Sequence, residues 1–126
     1  MGGPPWPYGE DIQREEEKSL RLQPGDRAVV EEVCSALPTC VVLVVSGRPQ
    51  IVTGQLSDID ALVASWLPGS EGGGVADVLF GERAFSGKLS VSWPRRTRQE
   101  PINIGDETYD PLFRYGFGLT TERTAD

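Results

Sequence analysis

Two nearly unbroken apolar runs dominate the chain: Thr39-Cys40-Val41-Val42-Leu43-Val44-Val45-Ser46 and Ala61-Leu62-Val63-Ala64-Ser65-Trp66. A β-branched run without polar alternation predicts a strand covered on both faces, as in a parallel sheet. Before the first run, Val29, Val30, Val33 and Leu37 recur at helical spacing. Pro24-Gly25-Asp26 opens that helix, with Asp26 as N-cap. Between the runs, Gly47-Arg48-Pro49 ends the first strand, Ile51-Val52 forms a short extended piece, and Leu56 to Ala61 forms a short helical turn. After Trp66, Leu67-Pro68-Gly69 breaks the pattern sharply. A second helix follows, with Ser70 as N-cap, Glu71 in the first turn, Val75, Val78 and Leu79 on one face, and Gly81 as its stop.

The later chain is less regular. Phe85, Leu89, Val91 and Trp93 predict a strand or extended segment. Pro94 to Asp110 predicts a polar loop, Pro111 to Leu119 a clasp of large apolar side chains, and Thr120 to Asp126 a frayed tail. The order helix, strand, turn, strand, helix predicts an α/β fold with an open, mostly parallel sheet and flanking helices. Residues 1–126 form a single partial domain: an acidic loop over 1–23, an α/β core over 24–93 and a C-terminal wrap over 94–126. Two or three buried strands need further strands and helices beside them. The chain therefore reads as the second half of a larger α/β domain, or as a truncated product.

Gly72-Gly73-Gly74 at the start of the second helix calls for a reason, because each glycine costs about 1 kcal/mol relative to Ala in a helix interior. One reading is backbone N–H groups approaching an anion. The other is close packing of the first turn on a neighbouring strand or loop. Neither GxxxxGK[ST] nor GxGxxG is present, so the phosphate signal is weak.

With 126 residues and 38% hydrophobic content, the composition is that of one modest globular domain. The net charge of −7, from 19 acidic and 12 basic residues, argues against a nucleic-acid partner. Arg83, Arg95, Arg96 and Arg98 are interleaved with polar residues and predict a solvated loop. No apolar run is long enough to span a membrane, and the first residues carry no signal-peptide pattern. The chain has no histidine and only two cysteines, which excludes a Ser-His-Asp or Cys-His pair made by this chain alone and weighs against a zinc site. No cofactor or metal is expected. Cys34 and Cys40 flank a short loop. A bridge is sterically possible and would contribute roughly 2 kcal/mol by chain entropy; two buried free thiols fit the spacing equally well.

Several motifs, in order, carry a family resemblance: Ser46-Gly47-Arg48-Pro49, Trp66-Leu67-Pro68-Gly69-Ser70-Glu71-Gly72, Ala76-Asp77-Val78-Leu79-Phe80-Gly81, Ser86-Gly87-Lys88-Leu89 and Tyr115-Gly116-Phe117-Gly118-Leu119-Thr120. Together they resemble the C-terminal α/β-sandwich domain of glycoside hydrolase family 3, in the plant-type subgroup of β-D-glucan exohydrolases and β-glucosidases. Ile104-Gly105-Asp106, Tyr109-Asp110-Pro111-Leu112 and the cysteine pair are similar to that subgroup too. The resemblance runs from about Pro7 to Thr121 and implies a disulfide between Cys34 and Cys40 in secreted material.

The resemblance implies a retaining, exo-acting glycosidase that releases glucose from β-linked glucans and β-glucosides, extracellular or in the cell wall. Its partner is then a β-glucan or β-glucoside substrate, engaged together with a barrel domain that supplies an aspartate nucleophile. The second domain supplies a glutamate acid/base after a Pro-Tyr-x-Glu stretch. Pro7-Tyr8-Gly9-Glu10 matches that stretch, which makes Glu10 the candidate acid/base and residues 1–23 an active-site-type loop. Such an enzyme needs two carboxyl groups about 5–5.5 Å apart, one protonating the leaving oxygen and one attacking the anomeric carbon. Asp11, Glu15, Glu16 and Glu17 surround Glu10 with negative charge that favours its protonated form.

The sequence also departs from the family. The nucleophile, the barrel and the upstream half of the second domain have no counterpart in these residues, and Ile12 to Lys18 is more acidic than the family's loop. The distance from Glu10 to the cysteines is two residues longer than the family pattern. Substrate-binding residues are not identified, and the isolated chain is expected to be inactive. The alternative is a non-catalytic remnant that binds carbohydrate or protein.

Overall fold

The computed structural model describes residues 19–123. Helix α1 spans Pro24–Ala36, strand β1 Val41–Val44, strand β2 Ala61–Ala64 and helix α2 Gly72–Leu79, with single 3-10 turns at Leu56–Asp58 and Thr97–Gln99. β1 and β2 pair in parallel, Val41 opposite Ala61 through Val44 opposite Ala64. The chain is thus a small α/β unit, as its apolar runs require.

The helix starts differ from those expected. α1 is capped by Gln23, not Asp26, and Pro24 occupies its first turn. Proline suits that position because its fixed φ is already helical and its missing N–H would be unpaired there. Asp26 falls inside the first turn, where its charge favours the helix dipole. α2 is capped by Glu71, not Ser70. The Glu71 N–H bonds the Pro68 carbonyl at 2.9 Å, which closes a turn over Pro68–Glu71 and leaves Ser70 at its corner. Gly81 ends the helix region with φ +83°, as a C-terminal glycine does. A Cβ added at Gly72, Gly73 or Gly74 meets nothing within 4 Å. Close packing within the described chain is therefore not what those glycines serve.

Among the described residues, β1 is not covered on both sides. Val44 is buried, but Val41 and Val45 are 43% and 62% exposed. Among the described residues the core is small: Cys34, Cys40, Val44, Val52, Trp93 and Pro94 are buried, joined by Gln55, whose amide donates to Glu31 of α1 at 3.1 Å. At the amino end of the sheet, Asp60 and Cys40 bond reciprocally. The Asp60 carboxylate accepts the Cys40 N–H at 2.7 Å, and the Asp60 N–H donates to the Cys40 carbonyl at 2.9 Å.

The segment from Phe85 to Trp93 is extended but forms no regular strand. It runs antiparallel to the chain end and is fastened at three stations. Trp93 bridges Phe113. Leu89 bonds Phe117 and Gly116 at 2.8 Å each. Phe85 accepts the Thr121 N–H at 3.1 Å and donates to the Thr121 hydroxyl at 2.9 Å. Thr121 therefore does not belong to a frayed tail. Where the arms come closest, a Cβ on Gly118 would overlap the Gly87 carbonyl. The expected clasp is partial: Leu112, Phe113 and Phe117 turn inward, while Tyr115 and Leu119 are 52% and 76% exposed.

The 94–110 loop is tied down rather than purely solvated. Arg95 pairs with Asp110 at 3.5 Å and donates to the Pro111 carbonyl at 3.1 Å. The Gln99 side chain accepts the N–H groups of Arg95 and Arg96 and donates to the Asp110 carbonyl. Arg96 and Arg98 remain exposed, as does Arg83.

Candidate active-site surface

In open α/β sheets, ligands bind beyond the carboxyl ends of the strands. Here β1 continues into Ser46-Gly47-Arg48-Pro49-Gln50 and β2 into Ser65-Trp66-Leu67-Pro68. The Ser46 N–H bonds the Trp66 carbonyl at 3.0 Å and joins the two exits. The Ser46 hydroxyl accepts the Arg48 N–H at 3.3 Å and the Gln50 amide at 3.0 Å, bracing the turn on itself.

Trp66 has φ +53°, an unfavourable backbone region for a bulky side chain that persists only where the surroundings impose it. Here it lets the chain leave β2 while the indole lies 6.1 Å from that of Trp93. Trp93 in turn meets Phe113 edge-on at 6.3 Å, and Phe113 stacks on Phe117 at 5.3 Å. This aromatic row couples the strand exits to the C-terminal wrap. The Thr53 hydroxyl adds a second link by donating to the Arg95 carbonyl at 2.8 Å.

Of the residues singled out from sequence, Glu10 lies outside the described residues. Cys34 and Cys40 are joined by a disulfide, with Cα atoms 5.1 Å apart. It ties the last turn of α1 to the entry of β1, the end of the sheet opposite the Ser46–Gln50 turn. The cysteines are thus structural and stand apart from the strand exits. Among the described residues, no cluster of His, Cys, Asp or Glu is placed to hold a metal ion, and no helix is long and apolar enough to cross a membrane.

Sequence reasoning missed Trp66 as a backbone outlier and Trp93 as the hub of the aromatic row. Trp93-Pro94 carried a partial signal, because the residue before proline is held extended. Nothing local signals a positive φ at Trp66.

Residues 6–121 match the profile of the glycosyl hydrolase family 3 C-terminal domain. A probable β-glucosidase J of Aspergillus fumigatus is 37% identical over 125 residues, covering 80% of this chain and 14% of that protein. The periplasmic β-glucosidase of Salmonella typhimurium is 34% identical, covering 81% of this chain and 16% of that protein. Among solved structures, the exo-1,3/1,4-β-glucanase of a Pseudoalteromonas species superimposes with a TM-score of 0.74 at 44% identity, covering 82% of this chain and 14% of that one. The chain thus spans about a seventh of the length of these relatives. The match extends from the acidic N-terminal stretch through the described strands and helices to the wrap, so the chain belongs to glycoside hydrolase family 3, as part of its C-terminal α/β domain.

Proposed function

We propose that this chain is the C-terminal part of a retaining, exo-acting β-glucosidase or β-glucan glucohydrolase, that it supplies the acid/base side of the site, and that it is inactive alone. The observation that carries this reading is the family match over residues 6–121, which includes Pro7-Tyr8-Gly9-Glu10 at its start. In this reading Glu10 protonates the departing glycosidic oxygen and then, as carboxylate, takes a proton from the water that releases the glycosyl intermediate. The nucleophile comes from a barrel domain outside this chain, so neither half turns over substrate without the other. The names of the relatives, β-glucosidases and an exo-1,3/1,4-β-glucanase, support glucosides and β-glucans as the substrate class. The word periplasmic in one of those names supports a parent enzyme that works outside the cytoplasm.

The test is hydrolysis of an aryl β-glucoside. The isolated 126 residues should give background only, and joining them to a family 3 barrel together with the upstream half of the second domain should create activity that depends on Glu10. Turnover by the isolated chain would overturn the division of labour.

A further inference from the structure

The first described residues are fixed beside the turn that leaves β1. The Leu20 carbonyl accepts the Ile51 N–H at 2.7 Å, and Arg21 bridges Ile51 in parallel. Parallel partners run the same way. Backward from Arg21 the chain leads through Lys18 to Glu17, Glu16 and Glu15, and backward from Ile51 it leads through Gln50 and Pro49 to Arg48. Both courses head for the exit of β1. Ser19 and Arg48 already stand on the wall of one groove of about 490 Å³. An extended chain advances about 3.3–3.6 Å per residue, which keeps Glu15, Glu16 and Glu17 within about 15 Å of Ser19.

Arg48 is presented on a stiff support. Its N–H donates to the Ser46 hydroxyl at 3.3 Å, the Gln50 amide donates to the same hydroxyl at 3.0 Å, and the Gln50 carbonyl accepts the Trp93 indole N–H at 2.8 Å. The charges are complementary. Among the described residues, the groove wall carries Arg21 and Arg48 against the carboxylate of Asp26. Residues 1–18 carry Glu10, Asp11, Glu15, Glu16 and Glu17 against Arg14 and Lys18. A guanidinium presents its donors in a rigid fork and stays charged, so it suits neighbouring carboxylates.

We propose that Arg48 docks the acidic run Glu15-Glu16-Glu17 by ion pairs at the exit of β1, and so holds the preceding Pro7-Tyr8-Gly9-Glu10 stretch beside the strand exits. Arg48 is then a positioning residue that acts through Glu10. The docking follows from chain direction and charge, and its consequence for hydrolysis rests on the reading of Glu10 as acid/base. Because the run shares the task, neutralising one glutamate leaves the others.

The test is a titration of the glutamate side chains of the intact chain, followed by NMR. At low salt, at least one of Glu15, Glu16 and Glu17 should titrate about half a pH unit or more below its midpoint in Arg48→Met, because a nearby cation favours the carboxylate. Arg48→Lys, which keeps the charge, should recover part of the difference. No shift at any of these glutamates on Arg48→Met would overturn the docking. The parent alone also decides, should Arg48→Met not fold. Salt at about 0.5 M should raise the midpoint of a docked glutamate by screening its cation. On a chain of net charge −7, the same salt lowers the midpoint of an undocked one. A fall throughout the run would therefore overturn the docking.

In the enzyme completed by the missing domains, Arg48→Met should lower kcat on β-glucans by about 3- to 10-fold with KM nearly unchanged, and Arg48→Lys should restore most of it. An unchanged kcat would overturn the positioning role. Failure of Glu10→Gln to slow hydrolysis would remove the acid/base reading and leave the titration as it stands, so the two failures are distinguishable.

Discussion

The indole N–H of Trp93 donates to the main-chain carbonyl of Gln50 at 2.8 Å. That bond ties the C-terminal wrap to the turn that leaves β1. Trp93 is only 2% exposed, so removing the donor leaves the part-buried Gln50 carbonyl without it. Trp93→Phe should destabilise the chain by about 1–3 kcal/mol, and Trp93→Ala by about 3–5 kcal/mol as a cavity is added. Urea unfolding of the variants checks both values. Equal midpoints for Trp93→Phe and the parent would show that the bond contributes nothing.

The disulfide closes a short loop between α1 and β1, so its effect on the unfolded chain is modest. Replacing both Cys34 and Cys40 by Ser should cost roughly 2 kcal/mol by loop closure. The parent should lose a similar amount when unfolded in the presence of reductant, and the Ser variant should be indifferent to it.

Two glycine substitutions should act in opposite directions. Gly118→Ala puts a methyl group onto the Gly87 carbonyl, and neither backbone can yield without opening the wrap. A loss of about 1–3 kcal/mol is expected. Gly73→Ala meets open space inside α2 and should stabilise the isolated chain by up to about 1 kcal/mol. Thermal melts of the two single variants test the contrast.

Under the proposed assignment, in an enzyme completed by the missing domains, Glu10→Gln keeps the shape and removes the proton donor. Hydrolysis of β-glucans should fall by about 10²–10⁴. An activated aryl glucoside should instead show a burst followed by slow turnover that azide accelerates, because azide needs no base. Glu15→Gln and Glu16→Gln should have little effect. Glucan hydrolysis within a few-fold of the parent after Glu10→Gln would remove the assignment.

Both strands were legible because β-branched runs such as Val41-Val42-Leu43-Val44 have few other uses, and the parallel pairing followed from their lack of alternation. The start of α1 was read three residues late and that of α2 one residue early, because the side chains expected to cap them, Asp26 and Ser70, do not. The wrap was seen as a clasp but not as paired arms. Its contacts recur every fourth residue, at Phe85, Leu89 and Trp93, and so leave no two-residue alternation to read. The aromatic row depends on the backbone of Trp66, which only the tertiary contacts impose. The family was legible throughout, because its motifs fall on the turns and exits that fix the fold. Pro7-Tyr8-Gly9-Glu10 was legible as a motif only, since Glu10 lies outside the described residues.

The three stations Phe85–Thr121, Leu89–Phe117 and Trp93–Phe113 make the wrap a zip whose teeth lie beyond both ends of the 94–112 loop. A protease that cuts the exposed bond after Arg98 therefore severs the covalent chain without releasing either piece. The fragments should co-elute under native conditions and separate only in denaturant. For the same reason, new termini placed at that cut would leave every tooth in its register.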